Sequence, residues 1–359
     1  SGYRQFSHAD IRRLRFVLDS GIRGLGDASL GTANLSSLAL YILELDRLVD
    51  DGERDHTFFV VEEPEAHLHP HVQRLVYRYF LGTDGENGDE GAPLTTILTT
   101  HSPHISSVTP IRSIVLLRHD PEEGKTIAVS TANAPFTPRD EDDLQRYIDV
   151  TRGEIFFSRG VILVEGDAER FLVPAFADAL NIPLDMLGIT VCSISGTNFT
   201  PYVKLLGPRG LNIPHVILTD RDPMADGEPL VRRRLINKLG VLERDVDHGD
   251  METDEVIARA GEYGCFVNEI TLETELFTGG LAEAMQSVIE QELSPRRAIL
   301  NEIQAWVDDT DLLDIVRLLK LIERIGKGRF AQALAPSVSE DVCPDYIREA
   351  LEHIRDAVA

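Results

Sequence analysis

Two short apolar runs in this chain each end in carboxylates, and that placement is where its chemistry starts. Residues 160–167 read GVILVEGD, with four apolar residues, Val161, Ile162, Leu163 and Val164, followed by Glu165. A second run, residues 216–219, ends in Asp220-Arg221-Asp222. A carboxylate at the C-terminal end of a buried strand lies in the crevice where open α/β sheets bind ligands. Three or more carboxylates in one crevice repel each other unless divalent cations neutralise them. Hard cations such as Mg2+ and Mn2+ take oxygen ligands. Two such ions about 4 Å apart clamp the attacking and leaving oxygens of an in-line phosphoryl displacement. D-x-D alone is common in loops. With E-G-x-x-E closing a neighbouring strand it is far more specific. Glu169, one turn into the helix expected after Glu165, is a candidate ligand for a second ion. Glu273, in CFVNEITLETELF, is a candidate for a further one.

The first half carries a second acidic strand end. Residues 57–63, TFFVVEE, finish in Glu62 and Glu63, and residues 95–100 form a strand that finishes at His101. An NTPase uses such a pair of acids, one to orient the Mg2+ water shell and one to activate the attacking water. A glycine-rich loop, residues 24–31, opens a helix expected over 34–48, whose first amides suit a phosphate.

These residues need elements to hold them. From Gly160 the pattern is strand, helix, strand, helix, strand: strands over 161–164, 189–194 and 216–219, helices over 168–180 and 201–206, then a short strand over 265–267. This predicts a small parallel sheet with right-handed crossovers. Residues 280–359 are helical in pattern throughout. Within them Lys327 stands between Gly326 and Gly328, an uncommon setting for a plain surface lysine. Arg232, Arg233 and Arg234 follow the D-x-D loop and, with Arg329, are candidate DNA-backbone contacts. A helix is expected over 4–18, and strands over 111–118 and 126–130 are expected to finish the first sheet. The expected division is 1–150, 151–279 and 280–359.

The order of these blocks resembles a known family. Residues 29–34, Glu62 with Glu63, and His101 resemble the signature loop, Walker B acids and H-loop of an ABC-type ATPase head of the DNA-repair branch. Glu62 stands where most of that class has Asp. His67, His69 and His71 suggest a metal cluster at first sight, but the same resemblance places them in the loop and helix start that follow the acid pair. There is no G-x-x-x-x-G-K-[ST], so either a segment outside this chain completes the ATP site, which is the expectation, or the ATPase is vestigial. FFSRGVILVEGDAERFLVPAFA and VILTDRDP resemble the two acidic blocks of a Toprim domain. An ABC-type ATPase followed directly by Toprim is similar to the OLD (overcoming lysogenisation defect) family. The resemblance implies an α/β chain: a partial ABC-type ATPase lobe, a Rossmann-like Toprim domain, and a C-terminal helical domain. It implies a DNA endonuclease or nickase using two Mg2+ or Mn2+ ions, with ATP bound only by the full-length protein. Glu165, Asp220, Asp222 and Lys327 would then be catalytic, Lys327 stabilising charge on the phosphate. Homodimerisation through the ATPase part, a UvrD-like helicase partner, and a phage-defence or DNA-repair role follow from the same resemblance. The rival readings are another Toprim enzyme, topoisomerase- or primase-like, and a non-catalytic DNA-binding ATPase subunit.

Bulk composition limits these readings. The chain has 359 residues, 43% hydrophobic and 26% charged, and no apolar run approaches the roughly 18 residues of a membrane span. Three scattered cysteines argue against a disulfide framework or a cysteine-rich zinc site, and a cytoplasmic location is the expectation. The formal net charge of −25 opposes DNA binding through the global field. Contact must use local cations.

Overall fold

A computed structural model describes residues 17–18, 23–24, 27–52, 56–78, 94–120, 124–221, 230–243 and 246–359. They fall into two compact units, Ser1–Thr109 and Pro110–Ala359. The helix expected over 4–18 lies outside the described residues except at its end. There Val17–Leu18 (β1) pairs as a short antiparallel strand with Arg23–Gly24 (β2) instead.

In the first unit, helix α1 (Leu30–Asp50) starts at Ser29, whose hydroxyl accepts from Thr32 N at 3.2 Å. Strand β3 (Thr57–Glu62) pairs in parallel with β4 (Leu94–Thr99), which puts Glu62 opposite Thr99. Helix α2 (Pro70–Val76) begins at His69, and α3 (Pro103–Ser106) at Ser102.

The second unit opens with an antiparallel hairpin, β5 (Val115–Asp120) and β6 (Lys125–Ser130). The sequence assigned this hairpin to the first sheet. The structure makes it a separate two-stranded sheet, with Arg118 donating to the carbonyls of Leu211 at 2.8 Å and Asn212 at 2.7 Å. Alternation marks a strand but carries no address for its partner, so this pairing was not legible. Residues 111–113 form a 3-10 turn, not the start of the strand.

Four parallel strands make the sheet that matters. They are β7 (Gly160–Val164), β8 (Ile189–Ser193), β9 (His215–Thr219) and β10 (Cys265–Val267), in the order β10-β9-β7-β8. Every residue of β7 is buried, as expected of a central strand covered on both faces. Ile162, Val164, Val216 and Leu218 face a core shared with α5 (Asp167–Ala179) and with helices of the C-terminal segment. Those are α11 (Ala282–Leu293), α12 (Arg297–Asp308), α13 (Ile315–Ile325), α14 (Lys327–Leu334) and α15 (Asp345–Val358). Between α5 and β8 lies the short α6 (Leu184–Leu187). Val161, Leu163 and Ile217 face the other way, into a core with α4 (Pro138–Tyr147), α7 (Thr200–Leu206), α8 (Leu230–Leu242) and α9 (Thr253–Gly261). Each fully buried Val, Leu or Ile contributes about 1.5–3 kcal/mol of transfer free energy, so the helical tail is bound into the sheet by its own packing. The sequence divides the chain at 150, whereas the contacts divide it at 109. Ile111, Phe136, Leu144 and Ile148 join the second core of the sheet. Among the described residues no helix is long and apolar enough to cross a membrane.

Candidate metal centre

β7 and β9 are neighbours, so their C-terminal ends place Glu165 beside Asp220. Glu165 is held tightly. Its Oε1 accepts from the Thr219 hydroxyl, from Asp220 N at 3.1 Å and from Arg234 Nη1 at 3.4 Å. Both members of the Glu165–Arg234 pair are largely buried, at 16% and 17% side-chain exposure. Asp220 uses Oδ1 in the same way, accepting from Asn268 Nδ2 and from Leu272 N at 3.2 Å. Gly166 ends the strand and starts α5. Glu169 in the first turn of α5 accepts from Gly166 N through Oε2 at 3.2 Å, one arm of a capping box.

Two further groups arrive from distant sequence. Thr271 caps the short helix α10 (Leu272–Leu276), which buries Glu273. Lys327, the first residue of α14, reaches Glu273 Oε1 at 2.9 Å. Gly326 makes the turn between α13 and α14 at φ +94°, a conformation that favours glycine. Gly328 allows α14 to close on α5, since a Cβ there would stand 3.0 Å from the Asp167 Cβ. The lysine sits at a helix N-terminus, where the dipole disfavours a cation. Helix capping does not explain it, and the carboxylates in front of it do.

Burial and crowding set the charges. Burial first, then the neighbouring carboxylates Glu165, Glu169 and Glu273, pushes Asp220 up to about 8. Burial likewise raises Glu169 to about 7, with Glu165 and Glu273 adding to it. Burial pulls the Lys327 ammonium down, but the carboxylates, Glu273 foremost, outweigh it and hold it above its ordinary value.

These groups fit divalent cations on an observation that does not depend on any ion. In each of the four carboxylates one oxygen is committed to protein donors, as described. No protein donor reaches the other oxygen among the described residues: Glu165 Oε2, Glu169 Oε1, Asp220 Oδ2 and Glu273 Oε2. Among the described residues Glu273 Oε2 is buried without a partner, a costly state for an acceptor unless something occupies it. No group of three or more His, Cys, Asp or Glu side chains among the described residues is arranged to hold a metal ion. Asp222, the second acid of D-x-D, lies outside the described residues.

The remaining sequence candidates separate. Arg232 donates to the carbonyls of Gly249 and Met251, Arg234 serves Glu165, and Arg233 is exposed. Arg329 pairs with Glu292 at 2.7 Å. In the first unit Glu62 and Glu63 are exposed, and Glu63 takes a φ of +43°. His101 Nε2 lies 3.8 Å from Glu63 Oε1. Sequence reasoning missed Glu65, whose Oε1 accepts from the Thr100 hydroxyl and His101 N, both at 2.8 Å. It missed Asn268 and Thr219 as well. A polar residue one position from an acidic strand end, or closing the adjacent strand, is the signal that could have found them.

A family profile for the "Overcoming lysogenization defect protein-like, TOPRIM domain" matches residues 156–222, and an "AAA ATPase domain" profile matches residues 12–106. Among solved structures, the C-terminal region of the Xanthomonas campestris pv. campestris OLD protein is 74% identical, with a TM-score of 0.54. The match covers 56% of this chain and 97% of that one. The corresponding region of the Burkholderia pseudomallei OLD protein is 59% identical, with a TM-score of 0.55, over 56% of this chain and all of that one. The chain belongs to the OLD family. Among curated relatives, a protein named OLD nuclease from Thermus scotoductus is 26% identical over 255 residues, 70% of this chain and 46% of that protein. Endonuclease GajA from Bacillus cereus is 26% identical over 184 residues, 47% of this chain and 26% of that protein. The chain therefore spans less than half the length of these curated relatives.

Proposed function

We propose that this chain is the catalytic part of a metal-dependent DNA endonuclease or nickase that hydrolyses phosphodiester bonds at the C-terminal edge of the parallel sheet. The observation that carries this reading is the set of four carboxylates, each with one oxygen held by the protein and one left open, facing a lysine. Glu165, Asp220 and Asp222 would hold one Mg2+ or Mn2+ ion, and Glu169 and Glu273 would contribute to a second. Bound there, the pair supplies an activated water and Lewis-acid stabilisation of the phosphoryl oxygens. Lys327 presents its ammonium to the charge that develops on the phosphate, and Glu273 aims it. Thr219 and Arg234 keep Glu165 facing the reacting groups.

Supporting the assignment are the family membership and the printed names of two relatives, OLD nuclease and Endonuclease GajA. With a net charge of −25, DNA contact falls to local cations, Arg233 and the Arg329 region among them. Glu62, Glu63 and His101 belong, on this reading, to an ABC-type ATPase that regulates cleavage when ATP and the rest of its site are present. We keep the division into an ATPase part (1–150), a Toprim part (151–279) and a helical part (280–359) as the functional plan. Homodimerisation through the ATPase part, a helicase partner, a cytoplasmic setting, and a phage-defence or repair role rest on family likeness.

The test is cleavage of supercoiled plasmid with Mg2+, Mn2+ or Ca2+, comparing the chain with Glu165→Ala. Nicked and linear products that need metal and Glu165 support the proposal. Relaxed closed circles would indicate a topoisomerase instead, and full cleavage by Glu165→Ala would sink the reading.

A further inference from the structure

Asn268 closes β10, the edge strand next to β9, and is 3% exposed. Its carboxamide makes two contacts on one neighbouring strand end. Nδ2 donates to Asp220 Oδ1, and Oδ1 accepts from Arg221 N at 3.0 Å. The orientation is fixed by chemistry: a backbone N–H needs the oxygen, so the amino group must face the carboxylate. Asp220 Oδ1 thereby has two donors, Asn268 Nδ2 and Leu272 N, while Oδ2 has none among the described residues.

Resting on the metal-nuclease reading above, we infer that Asn268 is a positioning residue that fixes the rotation of the Asp220 carboxylate, committing Oδ1 to the protein and presenting Oδ2 to a divalent cation. Asn268 itself touches neither cation nor DNA. A carboxylate free to rotate would present either oxygen and would lose orientational freedom on each binding event. Held by the amide, it is preorganised. An aspartate at 268 could not substitute, because it would set a carboxylate against Asp220 Oδ1. Partners one layer behind a ligand typically affect metal affinity by about 10–100-fold.

The experiment uses the full chain and Mn2+ as the probe. Mn2+ binding is measured by isothermal titration calorimetry for the chain and for Asn268→Ala, with the thermal midpoint of each taken without metal. Plasmid cleavage is then followed as a function of Mn2+ concentration. The expected result is an Mn2+ Kd weakened by about 10-fold or more. Cleavage shifts to higher Mn2+ and recovers most of its maximal rate at saturation, while Asn268→Ala still unfolds cooperatively. An Asn268→Ala chain that folds and binds Mn2+ with unchanged Kd overturns the inference. If Asn268→Ala does not fold, Asn268→Ser, which keeps a hydroxyl donor, is read in its place and should weaken binding in the same direction. Failure of both to fold marks Asn268 as structural and also overturns it. Absence of Mn2+ binding by the unmodified chain is a different outcome, since it removes the metal reading itself and this inference with it.

Discussion

Strand β3 of the first unit and strands β7 and β9 of the second share a plan: parallel pairing, an apolar run, and a carboxylate at the C-terminal end. Their surroundings differ. Glu62 and Glu63 are exposed, and the acid of that unit that collects donors is Glu65, held by Thr100 and His101. Glu165, Asp220, Glu169 and Glu273 are drawn into one partly desolvated site, each pinned through one oxygen. Solvent screens the first set, while burial makes the second set repel, with Asp220 and Glu169 raised to about 8 and 7. The same strand-end motif thus gives two electrostatic states. What decides between them is how many elements close over the strand ends.

The sharpest way to break this comparison is to remove one acid from each set. Asp220→Ala should lower metal-dependent plasmid cleavage by at least about 100-fold, the scale of losing a group that stabilises transition-state charge. Glu62→Ala should leave cleavage by this chain unchanged. Equal effects of the two would mean that the strand ends are not functionally distinct.

Lys327→Met keeps the stem of the side chain and removes its charge. Cleavage should fall by about 100-fold at saturating metal. Stability should fall by about 3 kcal/mol, read from urea unfolding, because the change leaves the buried Glu273 carboxylate without its cation. A large loss of stability with activity intact would make Lys327 a structural anchor.

Stability against pH separates the sets without any substrate. Asp220 and Glu169 go from ordinary values of 3.8 and 4.5 to about 8 and 7 on folding. Between about pH 4 and 8 the folded state therefore holds more protons than the unfolded state, and stability falls as pH rises through that window. In the metal-free chain the thermal midpoint should be several degrees lower at pH 8.5 than at pH 5.5, and Mg2+ should recover it mainly at the higher pH. A midpoint that rises with pH would contradict the crowding described here.

The smallest expected effect comes from Gly328→Ala. A Cβ 3.0 Å from the Asp167 Cβ forces α14 slightly off α5, while alanine gains about 1 kcal/mol of helix propensity over glycine. Stability should move by less than about 1 kcal/mol. Cleavage should drop several-fold, because Lys327 moves with its helix.

Much of this was readable in advance. Four consecutive apolar residues before Glu165, and the run before Asp220, marked strands buried on both faces, and the glycine after Glu165 marked the turn into a helix. The alternation of β5 and β6 marks two strands but not the sheet they join, since pairing partners are set by packing that local alternation does not encode. Glu273 and Lys327 were named, though not their contact, which depends on a helix 54 positions later closing on α10. Asn268 belongs to no motif, and only its place closing the strand beside an acidic strand end marks it.

The sequence by itself determined the elements and the chemical class of the site. Continuous apolar runs and glycine placement are local properties, and acids at strand ends mark a candidate cation site that burial then turns into a crowded one. Only the tertiary structure decided which oxygen of each carboxylate is held and which is open, that Lys327 answers Glu273, and that Asn268 stands behind Asp220. Those choices depend on distances between elements far apart in the chain, where burial turns a spacing of a few ångströms into a large electrostatic difference.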